Sequence, residues 1–485
     1  MPPPASKRGY NVQYPAIHWL DDDILLGIFN YYRLDDEYLW NLQLLWCKLS
    51  HVCQRWRHLI YECAFHLGIH IKCTNRAPIV DTLDHLPPLP LFIDYGHRRD
   101  GIDLTVQDES GIYRALRLHD RIYHINLGLP SSILHKVLVL MDGHFPILER
   151  LTLSLSDQNN IPLILPKAFQ APNLRHLALF SIGLAKRLRV LTSTDSLVRL
   201  QFTGIKMSTY SRPRLLVARL RSLPHLEDLY ISFSVPIPRP SAERELIGEH
   251  GAPVTLPRLK KLWFKGVSAY LESFVAQIRV PLLESLYITL FNQIAFALPH
   301  LSHLITITEG FKLPEAAVYF YPDNVSVTTT PQGSTWSDVG PFFLRVMCKE
   351  LDWQIDCAAQ ICHALLPALS DSESKIERLA LDFFGRNVIP TELQDGEIDS
   401  TTWHELLRLF IEVKELYISN VLLEELARAL LVDEVGLDPT FLPNLHTITA
   451  DDNRFTSFTE TRQILGRPVQ FSGLPPSISP APSTT

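Results

Sequence analysis

Residues 256–264, LPRLKKLWF, and residues 280–288, VPLLESLYI, carry one shared pattern of apolar residues, and this pattern decides the fold. In the first copy Leu259 and Leu262 are followed by Phe264, with non-leucine residues between them. Alternation at the end of the copy is typical of a short strand that buries one face. So small a unit cannot bury its apolar face alone, and we therefore expect successive copies to stack on one another.

The pattern recurs along most of the chain. Its first apolar residue stands at 122, 148, 174, 197, 226, 259 and 283, with later copies over 376–381 and 413–418 and a degraded copy over 442–445. The order L-x-x-L-x-L at this approximate period resembles a leucine-rich repeat. The resemblance implies an α/β fold, namely a solenoid with a curved parallel sheet. Ile182 and Val267 stand where regular repeats have asparagine, so we expect the solenoid to be irregular.

The segment Trp19–Tyr61 near the start of the sequence has a different, helical pattern. It contains two apolar stripes with the spacing of a helix face, of which the first is Ile24, Leu25, Ile28, Phe29 and Tyr32 and the second is Leu45, Leu49, Val52, Cys53, Trp56, Leu59 and Ile60. So short a segment cannot cover both stripes. The surplus apolar surface predicts a docking module.

Two runs within this segment resemble an F-box. They are Leu20–Phe29, LDDDILLGIF, and Leu49–Arg57, LSHVCQRWR, although Asp21 stands where the family usually has proline. Residues 78–93 look like the stretch that follows the F-box in a large group of fungal F-box-like proteins. The resemblance implies a trihelical unit that binds the Skp adaptor of an SCF (cullin–RING) ubiquitin ligase. The adaptor-binding residues that it implies are Leu20, Ile24, Leu25, Ile28, Phe29, Leu49, Val52 and Trp56. The alternative is that both stripes belong to the first helical hairpin of a larger core.

The repeats also predict a binding surface. In each strand the residue after the second leucine points away from the core, to the concave face of the solenoid. These residues are Thr152, Ala178, Gln201, Tyr230, Trp263, Tyr287, Ala380 and Tyr417. An aromatic stripe flanked by charge is typical of a protein-binding surface, so the candidate substrate-binding residues are Tyr230, Trp263, Tyr287, Tyr417, Lys261 and Arg199. The alternatives are that aromatic residues simply favour strands or that inserted segments cover them.

These patterns divide the chain into four regions. We expect an F-box-like domain over 15–75, a proline-rich connector over 76–117, repeats over 118–455 with an insertion near 303–375, and a disordered tail over 456–485. Within them we expect a short strand at Leu104 and Val106 and a helix over Ser131–Met141, with Ser131 or Ser132 as its cap. We also expect a polar loop over Thr328–Asp338 and a helix around Phe342–Leu369.

Bulk composition narrows the class of protein. The formal net charge of −7 argues against nonspecific nucleic-acid binding, and apolar residues at 46% suffice for a large core. The first ten residues contain no apolar signal region, and no apolar run approaches the ~20 residues that a membrane-spanning helix needs. Seven scattered cysteines are typical of reduced thiols. We therefore expect a cytoplasmic or nuclear protein with no membrane partner.

Motifs for catalysis are largely missing from the sequence. It contains no Walker phosphate loop, no dinucleotide fingerprint and no nucleophile elbow. His404-Glu405 begins like a zinc-protease helix, but Arg408 stands where the second histidine belongs. Cys357, Cys362 and His363 lie close together without a zinc-knuckle spacing. We expect no metal and no cofactor, although carboxylate active sites carry no sequence signature.

Together these patterns predict a non-catalytic substrate receptor of an SCF-type ligase. The F-box would dock the adaptor, and the repeats would hold a protein substrate. Two alternatives remain: a leucine-rich-repeat scaffold outside any ligase, whose helical hairpin is only its N-terminal cap, and an enzyme with an unrecognised site.

Overall fold

A computed structural model describes most of the chain. The described residues are 16–34, 46, 48–64, 66–74, 83, 88–96, 104–157, 162–163, 166, 168–184, 191, 194–206, 212–234, 252–292, 296–331, 340–370, 375–384, 400–431, 442–450, 454–464 and 466–472.

In the part of the chain that the structure describes, one sixteen-stranded sheet organises the fold. The strands of the described chain are β1 Ile71–Cys73, β2 Leu91–Tyr95, β3 Ile122–Leu129, β4 Arg150–Leu155, β5 Pro162–Leu163, β6 His176–Phe180, β7 Gly183–Leu184, β8 Arg199–Ile205, β9 Asp228–Phe233, β10 Val254–Thr255, β11 Lys261–Gly266, β12 Ile278–Arg279, β13 Ser285–Leu290, β14 Glu315–Tyr321, β15 Asn324–Thr330, β16 Phe342–Met347, β17 Arg378–Phe383, β18 Glu415–Ile418, β19 Thr447–Thr449 and β20 Gln470–Ser472. The order in the large sheet is β1-β2-β3-β4-β6-β8-β9-β11-β13-β16-β15-β14-β17-β18-β19-β20. The pairs β5–β7 and β10–β12 form two small separate sheets.

Each repeat predicted from the sequence supplies one parallel strand. From β3 to β13 each strand of the large sheet pairs in parallel with the one before it. From β17 to β20 the pairing is again parallel. The mixed α/β class and a mostly parallel sheet are therefore confirmed.

The segment between β13 and β17 interrupts this series. β15 pairs antiparallel with both β14 and β16, whereas β16 lies parallel to β13 and β14 lies parallel to β17. The insertion expected near 303–375 is therefore built into the sheet as three strands. The predicted helix over Phe342–Leu369 is only partly right, because residues 342–347 form β16 and a helix begins at Leu351. The predicted loop begins at Thr328, but Thr328–Thr330 end β15, and residues 332–338 lie outside the described residues.

Helices cover one face of the sheet and build the main core with it. They are α1 Asp22–Leu34, α2 Gln54–Glu62, α3 Val106–Leu116, α4 Ser131–Leu140, α5 Pro213–Leu220, α6 Ser268–Val275, α7 Pro299–Thr306, α8 Leu351–Leu369, α9 Ser400–Leu407, α10 Leu423–Leu431 and α11 Thr456–Ile464, with 3-10 turns at Ala16–Trp19, His119–Arg121 and Glu309–Phe311. Leu262 and Phe264 of β11 share one buried cluster with Leu271 and Phe274 of α6. We call the opposite side of the sheet, which carries Thr152, Gln201 and Trp263, the far face. Within the described part of the chain, no helix has the length and apolar character needed to cross a bilayer.

Local hydrogen bonds explain two differences from the sequence predictions. The expected strand at Leu104 and Val106 is wrong, since Val106 begins α3. The Thr105 side chain accepts from the backbone N–H of Asp108, and the Asp108 carboxylate accepts from the backbone N–H of Thr105, which forms a capping box. The helix predicted over Ser131–Met141 is confirmed within one residue. Its N-cap is Pro130, and Ser131 instead donates its hydroxyl and amide hydrogens to Asp157.

The sheet also extends past the expected region boundaries. β1 and β2 pair in parallel at its N-terminal edge, so the expected connector over 76–117 contributes both β2 and α3 to the fold. The expected disordered tail begins too early, since α11 and β20 lie within residues 456–472. Phe458 and Val469 are buried there and provide the apolar contacts that order this segment. Residues 473–485 lie outside the described residues.

Candidate functional site

The N-terminal helices α1 and α2 form the first candidate site. The rings of Phe29 and Trp56 meet edge to face at 4.8 Å between centroids. Arg55 ties the helices together, since its guanidinium donates to the Asp22 carboxylate at 2.5 and 2.9 Å and to the Leu20 carbonyl oxygen at 2.6 Å. Of the three aspartates at the start of α1, Asp22 therefore holds α2 in place.

The second helical stripe is interrupted, contrary to its sequence pattern. Residues 48–50 are helical, residues 51–53 are not, and α2 begins at Gln54. The Cys53 thiol accepts from the backbone N–H of Trp56 at 3.5 Å and caps the new helix. Val52 therefore lies in a turn and is 58% exposed. Leu45 of the predicted stripe lies outside the described residues.

The eight predicted adaptor-binding residues divide into three groups. Leu25 and Phe29 are buried in the main core. Leu20, Leu49 and Trp56 are partly buried against the core. Ile24, Ile28 and Val52 are exposed by 50%, 43% and 58%. Direct contact with a partner is therefore open to the last group, whereas Leu25 and Phe29 hold the unit together.

Sequence reasoning missed two large exposed residues near this group, Trp19 and Tyr31, which are 80% and 70% exposed. Tyr31 follows Ile24 and Ile28 at the i, i+4, i+7 spacing, which places all three on one helix face. Leu25 and Phe29 lie on another face about 100° away. The sequence analysis assigned the residues of both faces to one stripe. The i, i+4, i+7 spacing of Ile24, Ile28 and Tyr31 was the signal that could have distinguished the two faces. We call Trp19, Ile24, Ile28, Tyr31 and Val52 the N-terminal apolar surface.

The second candidate site is the far face of the sheet, where strand register aligns the predicted aromatic residues. Tyr230, Trp263 and Tyr287 are direct partners on β9, β11 and β13. The next position in the row is Phe343 on β16, which pairs with Tyr287. The sequence missed Phe343 because its segment was read as a helix.

The four rings form a continuous row of ring contacts, in which Tyr230 and Trp263 are stacked and the other two pairs are tilted. Successive centroids lie 5.5 Å apart from Tyr230 to Trp263, 4.4 Å from Trp263 to Tyr287, and 6.4 Å from Tyr287 to Phe343. Trp263 is 44% exposed, Tyr230 and Tyr287 are partly buried, and Phe343 is buried. The predicted stripe therefore exists and is most accessible at Trp263.

Tyr417 does not join this row. β16, β15, β14 and β17 separate it from Tyr287 in the sheet. It packs instead beside a small second cluster on the far face formed by Ala317, Tyr319 and Ala380. The structure thus brings together three of the four predicted aromatic residues.

A row of charged residues runs beside the aromatic row. Register aligns Arg150, His176, Arg199, Asp228 and Lys261 on successive strands. Arg199 donates to Asp228 at 2.8 and 2.5 Å. The two predicted polar candidates, Arg199 and Lys261, therefore belong to one row, but Arg199 is engaged in an ion pair.

His176 in this row and His124, which is paired with Arg150, have unusual pKa values. Burial and the neighbouring Arg150 lower the pKa of His124 to about 4. Burial, Arg150 and Arg199 likewise lower the pKa of His176 to about 4. Both rings are neutral at pH 7, so the positive charge of this region comes from its arginine and lysine side chains.

The residues considered for catalysis or metal binding do not come together. His404 is buried with its Nε2 2.6 Å from the Ala429 carbonyl oxygen. Burial raises the pKa of Cys362 to about 12, whereas His363 is exposed. In the described residues, no group of three or more histidine, cysteine, aspartate or glutamate side chains is arranged to hold a metal ion. The geometry at both candidate sites is suited to binding another molecule.

Comparison with known proteins adds no relative to these observations: neither the protein-family models nor the curated proteins searched give a significant match to this chain.

Proposed function

We propose that this protein is a non-catalytic substrate receptor of an SCF-type (cullin–RING) ubiquitin ligase. The helices α1 and α2 dock the Skp adaptor, and the far face of the sheet holds a protein substrate. Ubiquitin transfer then depends on proximity, with the chemistry supplied by other subunits. This function places the protein in the cytoplasm or nucleus.

The N-terminal apolar surface carries this proposal. Its five side chains are exposed although the helices beneath them already have a closed core of Leu25, Phe29, Leu59 and Ile60. Apolar residues that remain exposed on a small packed unit are typical of protein-binding sites. The F-box resemblance of the same segment names the adaptor as the partner.

Co-purification of the Skp adaptor with an Ile24→Asp/Ile28→Asp variant tests the proposal. The two substitutions introduce charge at two of the five residues of this surface, and we expect about 100-fold weaker adaptor binding. Folding should be retained, because both side chains are about half exposed. A Leu25→Asp change would be unsuitable, since Leu25 is fully buried.

A Val139→Asp/Leu215→Asp variant is the matched control. These residues lie on α4 and α5 and are 61% and 49% exposed, so the chemical change and the exposure are similar. The control should bind the adaptor like the wild type. Adaptor binding that survives Ile24→Asp/Ile28→Asp, or that is lost equally in the control, contradicts the proposal.

One observation supports the alternative of a scaffold outside any ligase. Leu25, Phe29 and Ile60 belong to the same buried cluster as the repeats, as expected for helices that cap the N-terminal end of a stacked array. Adaptor capture by the wild-type chain distinguishes the two functions. If α1 and α2 only cap the array, the wild-type chain does not capture the adaptor.

A further inference from the structure

Positive charge is concentrated in one part of the far face. Arg150 on β4 and Lys261 on β11 stand at the two ends of the charged row. Both side chains are exposed, and neither forms a hydrogen bond or an ion pair with the described residues. Asp228, the one acidic residue between them in the row, is already neutralised by Arg199.

The corresponding row in the C-terminal part of the sheet has an excess of negative charge. There Arg378 lies between Glu315 and Glu415, with nitrogen–oxygen distances of 2.5 and 2.9 Å. Two carboxylates therefore share one guanidinium. The far face is polarised, with its excess positive charge between β4 and β11.

The aromatic row beside Lys261 is a second feature that favours an acidic ligand. Tyr230, Trp263 and Tyr287 pack against one another across the strands, so their ring faces are turned to each other. Their edges are then presented to the far face. Ring edges carry partial positive charge and attract carboxylate and carbonyl oxygens. Trp263, the most exposed ring, has Tyr230 on one side and Tyr287 on the other, which disfavours the stacking of a nucleic-acid base on it, the usual role of aromatic residues in single-strand binding.

The distance between Arg150 and Lys261 sets the length of a ligand that can pair with both. Four inter-strand steps separate β4 from β11, which corresponds to about 19 Å at ~4.8 Å per step. An extended peptide covers this distance in about six residues. The end of the peptide that pairs with Lys261 would lie beside the exposed edge of Trp263, which is two residues further along β11.

We propose that the far face between β4 and β11 binds an extended acidic segment of a partner protein, with carboxylates about six residues apart paired to Arg150 and Lys261. This inference names the substrate class for the receptor surface and rests on the proposed function. Charge complementarity determines the occupant: the surface offers two unpaired cations and a row of ring edges. All of these features favour carboxylates.

Fluorescence anisotropy with the purified full-length chain at low ionic strength tests the inference. The probe is a labelled ten-residue peptide of glycine and serine with glutamates six positions apart and a phenylalanine next to one of them. The first comparison peptide has glutamine in place of both glutamates, and the second has the glutamates two positions apart. An eight-nucleotide oligouridine is the nucleic-acid comparison.

We expect the probe to bind about tenfold more tightly than either comparison peptide and more tightly than oligouridine. An Arg150→Glu/Lys261→Glu variant should lose this preference. A Lys136→Glu/Arg221→Glu variant, which makes the same charge change at exposed residues on the helical side, should keep it. The milder Arg150→Gln/Lys261→Gln variant replaces the first variant if circular dichroism shows that charge reversal impairs folding.

Three results would overturn the inference: equal affinity for the glutamate and glutamine peptides, equal loss in the helical-side variant, or a preference for oligouridine. The result is separable from the adaptor experiment. Adaptor capture without peptide preference refutes the acidic-segment inference alone. Peptide preference without adaptor capture refutes the ligase function and leaves the surface as assigned.

Discussion

Protonation of His124 and His176 should destabilise the fold, and the size of this destabilisation follows from their pKa values. Both pKa values fall from 6.5 to about 4, first because the rings are buried and then because Arg150 lies between them in the sheet. The unfolded chain therefore binds protons more readily than the folded chain between about pH 4 and pH 6.5. Stability from these groups is complete above pH 6.5 and is lost as the pH falls through this window.

The magnitude follows from the shift. A drop from 6.5 to about 4 corresponds to about 3.4 kcal/mol per histidine if it is converted in full. Both side chains are only partly buried, and solvent screening reduces the value by about half. We therefore expect the two histidines together to account for about 3 kcal/mol of lost stability on acidification from pH 7 to pH 4.

Urea unfolding of the wild type and of a His124→Gln/His176→Gln variant, at pH 7.0 and at pH 4.5, measures this contribution. Carboxylates titrate in both proteins, so the difference between the two free energies of unfolding isolates the histidines. The variant also loses the stacking of His124 on Phe92 at 4.0 Å, which shifts the difference at both pH values alike. A difference that is the same at pH 7.0 and pH 4.5 would refute the electrostatic reasoning.

Variants at three further positions test the packing of the fold. Glu272→Ala should lower the free energy of unfolding in urea by about 2–4 kcal/mol, because the buried carboxylate accepts hydrogen bonds from the backbone N–H groups of His300 and Leu301 at 2.8 and 2.9 Å. Glu272→Gln keeps one acceptor oxygen and should lose less stability, and equal losses in the two variants would contradict this role. Phe29→Ala should lower the free energy of unfolding by about 3–5 kcal/mol, since Phe29 is 4% exposed; a loss below ~1 kcal/mol would show that it is not a core residue. Gly340→Ala should prevent stable folding, as judged by circular dichroism and thermal melting, because a Cβ there would lie 1.6 Å from the Thr329 carbonyl oxygen; a wild-type melting temperature would contradict this placement.

The repeated strands could be predicted because one face of each is apolar at every second residue. The register that aligns Tyr230, Trp263 and Tyr287 follows from the same alternation. The insertion could not be predicted in this way. Residues 316–321 of β14 are all apolar and mostly buried, so the alternation that marks a strand is absent there.

The sequence located the N-terminal site as a segment, but it did not show which of its residues are buried and which are exposed. Ile24 and Leu25 are neighbours of similar apolar character, and only packing decides that Leu25 is buried and Ile24 is half exposed. The capping box of Thr105 and Asp108 was present in the sequence and indicated the helix that begins at Val106. The alternation also aligns Arg199 with Asp228, but the ion pair between them depends on side-chain conformation, which the pattern does not contain.

The three-strand insertion also has a consequence for synthesis on the ribosome. Strands β3 to β13 can each dock on the preceding strand as they emerge, but β14 has no partner next to β13, and β16 must return to cover that edge. Until residue 347 is made, β13 is an unpaired edge strand, which favours aggregation. At 5–20 residues per second this exposure lasts about 3–12 s. Chaperone demand during translation should therefore be highest while this segment is being made.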